Sequence, residues 1–248
     1  MTGDALGDAN SPLPPSRGTL FGVGVGPGAP DLITLRAARL IEGAGVVAYP
    51  TLAGAASFAR AIAADLIAED AQEIVMDVPM TVERAPAQAA YDDGAARIAE
   101  ALEQGCDVVC LCEGDPFFYG SFMYLFARLS ARYRVEVVPG VTSVTACAAR
   151  AGMPLAARNE RLTILPGPLP EEELRARIDG AESVVIMKVG RHLPKIRRVI
   201  SELGLTDAAV YVERASLPEE VVLPLADAPE CAPYFSMILL AKGADPWL

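Results

Sequence analysis

The chain has 248 residues, enough for one large domain or two modest ones, and 52% of them are hydrophobic. Its formal net charge of −11 excludes the basic footprint that sequence-independent nucleic-acid binding needs. No apolar run reaches the roughly 18–20 residues that span a bilayer.

Met1 to Arg17 is rich in Gly, Asp, Ser and Pro and lacks the apolar stretch of a signal peptide, so a disordered tail and a cytoplasmic protein are expected. Thr19–Val25 then predicts a strand, and Asp31 a cap for a helix running to Gly43. Strands are expected at Gly45–Tyr49 and Ile74–Val78, with a helix at Ser57–Ala68 between them. Met80–Ala90 breaks the pattern as an exposed loop entering a helix, Ala87–Gln104. Val108–Cys112 is a fully apolar strand, Tyr119–Arg132 a helix, and Val135–Val138 a strand stopped by Pro139-Gly140. The rhythm resumes with helices at Thr142–Ala151, Glu171–Asp179 and Leu193–Leu203. Strands are expected at Leu162–Leu165, Ser183–Lys188, Ala208–Glu213 and Phe235–Ala241. Alternating segments of this kind predict an α/β fold. The strand number favours two α/β domains, 18–138 and 139–248.

Four motifs follow strand ends. Gly22-Val23-Gly24-Val25-Gly26-Pro27-Gly28-Ala29 loosely fits a dinucleotide fingerprint through Gly24-x-Gly26-x-x-Ala29. However, Pro27 and Pro30 interrupt it, and Ala44–Pro50 has no carboxylate for a ribose. A plain tight turn and a ligand-lining turn both remain open for this motif. Cys112-Glu113-Gly114-Asp115-Pro116-Phe117-Phe118-Tyr119-Gly120-Ser121 packs two carboxylates and three aromatics into one loop, a costly composition for a mere connector. Pro139-Gly140-Val141-Thr142-Ser143 is either a capped helix start or an anion-binding one. Met187 to Arg198 is the densest basic stretch, either a solvated face or an anion site. His192 is the only histidine, so a Ser-His-Asp triad or multi-histidine metal site is excluded, and no metal is expected. The cysteines number five, an odd count that does not suggest a disulfide framework; Cys110 and Cys112 suggest a buried strand.

Taken in order, Gly24–Gly28, Gly114–Pro116, Pro139–Ser143, Met187 and Glu213-Arg214-Ala215 resemble the motifs of the tetrapyrrole (corrin and porphyrin) methyltransferases. The resemblance covers about residues 18 to 243. It implies two α/β domains with S-adenosyl-L-methionine in the crevice between them, S-adenosyl-L-homocysteine as product, and a homodimer with no nucleic-acid or membrane partner. Carried over by position, the cofactor would be lined by Pro27, Glu113, Gly114, Asp115, Phe118, Tyr119, Thr142, Ser143, Met187 and Ala215. Asp115 or Glu113 would accept from ribose or ammonium, and Thr142 and Ser143 would bond the methionine end. Tyr49-Pro50, Pro79-Met80-Thr81, Arg84-Ala85-Pro86, Cys112 to Ser121, Met187 to Lys195 and Tyr234-Phe235-Ser236-Met237 are similar to the branch that methylates precorrin-2 at carbon 20. That branch implies precorrin-3A formation in cobalamin biosynthesis. Cobalt-factor II methylation is the alternative within the family, and a nucleotide-binding oxidoreductase the alternative outside it. Arg84, Lys188, Arg191 and Lys195 would face the substrate carboxylates. Candidate proton acceptors are Glu113, Tyr119 and His192.

Overall fold

The computed structural model describes residues 17–52, 54–79 and 84–243. The expected tail lies outside these residues except for Arg17. That residue is held in place: its Nε donates to Glu103 at 3.0 Å and Nη1 to the Arg132 carbonyl at 3.3 Å.

Five parallel strands make the first sheet: β1 (Leu20–Gly24), β2 (Val46–Leu52), β3 (Gln72–Val78), β4 (Val108–Cys112) and β5 (Val135–Val138), in the order β3-β2-β4-β1-β5. β4 lies at the centre and every residue of it is buried, as its unbroken apolar run requires for a sheet covered on both faces. Helices α1 (Leu35–Glu42) and α2 (Phe58–Ile62) cover one face, where Ile41 and Ile62 pack with Val23, Val47 and Leu111. Helices α3 (Arg84–Glu103) and α4 (Phe122–Leu129) cover the other, where Ile98, Leu102 and Leu125 meet Leu20 and Met76.

Gly22 sits under the ring of Phe122, and a Cβ there would lie 2.3 Å from ring atom Cε1. Forcing this contact overpacks the core. Gly22→Ala is expected to cost about 1–3 kcal/mol, read as a lower urea midpoint at unchanged m-value.

The chain passes from β5 directly into α5 (Ser143–Ala151), which packs against a second sheet. That sheet comprises β6 (Leu162–Pro166), β7 (Ser183–Met187), β8 (Ala209–Glu213), β9 (Val221–Pro224) and β10 (Ser236–Ala241), in the order β6-β7-β10-β8-β9. β6 and β7 are parallel, while β10 runs antiparallel to both β7 and β8. Helices α6 (Glu171–Asp179) and α7 (Leu193–Glu202) fill the face opposite α5 through Leu174, Ile178, Ile196 and Ile200. The molecule thus consists of two α/β domains.

Several expected elements are corrected. Thr34, not Asp31, caps α1, accepting from the Ala37 N–H at 3.2 Å; Pro30–Leu32 closes a separate short turn first. The Ser57–Ala68 helix stops at Ile62 and continues as a tight turn over Ala64–Leu66. α3 begins at Arg84, earlier than expected, and residues 80–83 of the expected loop lie outside the described residues. α4 starts at Phe122, because Tyr119 takes a left-handed φ of +56° that no helix accommodates. β9 was not expected. Among the described residues no helix is long and apolar enough to cross a membrane.

Candidate active site

β1, β4 and β5 end at one edge of the first sheet, the edge where ligands bind in parallel α/β folds. Their turns pack backbone against backbone. The Gly114 N–H donates to the Gly26 carbonyl at 2.8 Å. A Cβ on Gly140 would stand 2.0 Å from the Gly114 carbonyl oxygen, and one on Gly24 would stand 2.5 Å from the same atom. Gly114 itself adopts φ +62°, which only glycine reaches without steric cost.

Asp115 fastens these turns together. Its Oδ1 accepts from the N–H groups of Phe117 (2.9 Å) and Phe118 (3.1 Å), and its Oδ2 accepts from the Gly140 N–H (3.1 Å). Both oxygens are therefore engaged with backbone, so Asp115 shapes the wall and Glu113 is the carboxylate left facing the space. Asp115→Asn retains one oxygen but sets an amide N–H against the Gly140 N–H. The expected cost is about 1–3 kcal/mol, measured as a drop in thermal midpoint. An unchanged midpoint would show that water replaces the lost acceptor.

The second domain faces this edge across a cleft of about 150 Å³, open at its mouth. Met187 and Lys188 reach it from the end of β7, and Arg214, Ala215 and Leu217 from the turn after β8. Because β10 is antiparallel, its first residues arrive at the edge where β7 and β8 finish, with Ser236 opposite Glu213. Tyr234 to Met237 line the cleft for this reason. The walls are joined by the Ala29 N–H, which donates to Ser216 Oγ at 3.1 Å, and by the rings of Phe58 and Phe235, 4.8 Å apart.

The accessible surface of Glu113 faces this cleft, and the surrounding protein holds its carboxyl above the usual carboxylate range. Burial also raises the Tyr234 hydroxyl, with a smaller push from the Glu113 charge. Cys147 lines the cleft as well, its thiol pushed up to about 12, first by burial and then by Glu220. Such a thiol stays protonated and is a poor nucleophile.

Residues 19–229 match the family model of tetrapyrrole (corrin/porphyrin) methylases. The chain belongs to that family. It is 42% identical, over 92% of its length and 97% of the relative's, to a precorrin-2 C(20)-methyltransferase of a Sinorhizobium species. It is 33% identical to the cobalt-precorrin-2 C(20)-methyltransferase of Salmonella typhimurium, over 91% of this chain and 97% of that one. Uroporphyrin-III C-methyl transferase from Thermus thermophilus, solved in complex with S-adenosyl homocysteine, superposes with a TM-score of 0.65. There the identity is 27%, covering 90% of this chain and 97% of that one.

In this methylase, each residue expected at the cofactor lies on the cleft: Pro27, Glu113 to Asp115, Phe118, Tyr119, Thr142, Ser143, Met187 and Ala215. Thr142 Oγ1 is engaged in capping α5, accepting from the Thr145 N–H at 3.3 Å, so its hydroxyl serves the helix. The residues expected at the substrate are scattered. Lys188 lines the cleft, whereas Arg191 is exposed on the turn before α7, outside the lining. Lys195 donates to the Leu169 carbonyl, and burial lowers its pKa. The side chain of Arg84 lies outside the described residues. His192 is also outside the lining, its pKa lowered by burial and by the charges of Lys195 and Arg191. Phe58, Cys147, Arg214, Leu217 and the Tyr234–Met237 segment line the cleft without having been expected there.

Proposed function

We propose that this methylase transfers the methyl group of S-adenosyl-L-methionine to carbon 20 of precorrin-2, giving precorrin-3A and S-adenosyl-L-homocysteine in cobalamin biosynthesis. The observation that carries this is the near full-length similarity to a relative named for that reaction. The greater identity to that relative than to its cobalt-named counterpart favours the metal-free ring.

The cleft suits this cofactor. Phe118, Met187, Leu217 and Met237 supply apolar walls for a purine, and the first turn of α5 offers unpaired N–H groups to a carboxylate. Asp115, already engaged with three backbone N–H groups, shapes this wall and leaves Glu113 free for the chemistry. The cofactor, when bound, provides an electrophilic methyl on a sulfonium. The chain's task is then alignment, an effect worth up to roughly 7–11 kcal/mol in well-oriented systems. No covalent nucleophile is required, and the protonated Cys147 does not compete for the methyl. As one C–C bond forms and one S–C bond breaks, a proton must leave the ring. Of the three candidate bases, Glu113 and Tyr119 line the cleft and His192 lies outside its lining; a carboxylate can take up a proton where a neutral phenol cannot. We assign the proton to Glu113. The reading further has the enzyme acting in the cytoplasm, which cell fractionation tests, and as a homodimer, which sedimentation velocity tests.

The reaction is tested by anaerobic incubation of the protein with S-adenosyl-L-methionine and precorrin-2, followed by mass spectrometry. One added methyl, matched by an equal amount of S-adenosyl-L-homocysteine and placed at carbon 20 by NMR, is the expected result. Turnover of cobalt-factor II alone would transfer the assignment to the cobalt-containing ring. Turnover of neither would remove the substrate assignment.

A further inference from the structure

Lys188 and Tyr119 belong to different domains and meet across the mouth of the cleft. The Lys188 ammonium stands 5.3 Å from the centroid of the Tyr119 ring, within cation–π range. Both residues have φ of +56°, a backbone conformation that bulky side chains avoid. Each is held there by a glycine contact. A Cβ on Gly120 would lie 2.5 Å from the Asp115 carbonyl oxygen, and one on Gly167 would lie 2.8 Å from that of Lys188. Strained residues that persist tend to be functional, and these two are not core, since both side chains are exposed.

The charge pattern points the same way. Of the two cations on the cleft lining, Arg214 is bonded to the Glu213 carboxylate. Lys188 has no carboxylate partner among the described residues. The face of an aromatic ring steers an ammonium without neutralising it, so the N–H donors of Lys188 remain available to an anion. In a chain of net charge −11, a polyanionic ligand needs such a local cation to approach.

We propose that Lys188, aimed by the ring of Tyr119, anchors a carboxylate of the tetrapyrrole at the mouth of the cleft, with Tyr119 as its positioning residue. The identity of that ligand rests on the methylation reading above. The anchor itself is tested independently of turnover. A polycarboxylate porphyrin is titrated into the full-length protein by fluorescence, S-adenosyl-L-homocysteine by calorimetry, and the KM for precorrin-2 is measured alongside. Lys188→Met is expected to weaken porphyrin binding roughly tenfold and to flatten its salt dependence. Tyr119→Leu is expected to weaken it roughly two- to fivefold, and Tyr119→Phe, which keeps the ring, to restore it. The double variant should be no worse than Lys188→Met alone, because Tyr119 acts through Lys188.

Unchanged porphyrin affinity in Lys188→Met would overturn the proposal. So would an equal loss of S-adenosyl-L-homocysteine affinity, which would make the pair a structural latch. Lys188-dependent porphyrin binding without methylation of precorrin-2 would keep the anchor and remove the substrate assignment. Methylation with an unchanged KM in all variants would do the reverse.

Discussion

Gly140→Ala is expected to lower kcat/KM for methyl transfer by about 10²-fold, with a parallel loss of S-adenosyl-L-homocysteine affinity. The added methyl has nowhere to go. It would stand 2.0 Å from the Gly114 carbonyl oxygen and 2.9 Å from Gly24 Cα, and both are backbone atoms. The Glu113–Asp115 turn must retreat by about 1 Å, enough to misplace aligned reactants. The same retreat pulls Asp115 Oδ2 away from the Gly140 N–H. Gly45→Ala is the matched control, since a Cβ there meets nothing within 4 Å; it should stay within about 0.5 kcal/mol of the parent. Circular dichroism separates a displaced loop from a lost fold. A Gly140→Ala protein with parental affinity and turnover would show that the three turns do not shape the cofactor site.

Glu113→Gln is expected to reduce kcat by about 10²-fold or more, in line with the loss of a positioned general base. Burial raises the Glu113 pKa, so the ionised carboxylate disappears as pH falls through a value above the ordinary carboxylate range. The parent's kcat/KM should therefore rise with pH through that raised value and then level off, and the variant should lack this limb. Stability has the opposite sign. The native fold disfavours the ionised form of this cleft-facing carboxylate, so above its raised pKa the glutamine variant should be no less stable than the parent. A thermal midpoint measured on both proteins separates lost activity from lost fold. The Tyr234 hydroxyl, pushed up partly by the Glu113 charge, should also titrate lower in the variant. A pH profile identical in both proteins would remove Glu113 from the proton's path.

Much of the fold was legible because apolar runs such as Val108–Cys112 encode burial locally. The glycine wall of the cleft was legible for a related reason: Gly24 ends β1, and Gly114 and Gly140 each follow a strand end by two residues, so the signal is local. Other features depend on tertiary packing. β9, whose one strand partner among the described residues is β8, is an apolar run of only four residues that ends in Pro224, too short to be told from a loop. Tyr119 fits a helical pattern, yet the closure of Asp115 on Gly120 turns it out of the helix. Tyr234 to Met237 line the cleft only because the last strand enters the second sheet antiparallel, which no local periodicity records. The basic run around Lys188 was the least legible. Arg191 lies on the turn before α7 and Lys195 bonds the Leu169 carbonyl, both outside the cleft lining, so proximity in sequence overstated the number of cations on the cleft.

The place of β10 has a consequence for how the enzyme is made. The first sheet uses residues 20–138 alone, whereas in the second sheet β10, latest of its strands in sequence, lies at the centre, between β7 and β8. At ~5–20 residues per second, a ribosome needs roughly 5–20 s beyond β5 to deliver it. During that interval the β6–β7 and β8–β9 pairs have no strand to join them. The glycine turns of the first sheet then face solvent instead of a partner wall. A nascent chain should therefore acquire cofactor affinity in one late step, when β10 zips the two pairs together, rather than gradually as it lengthens.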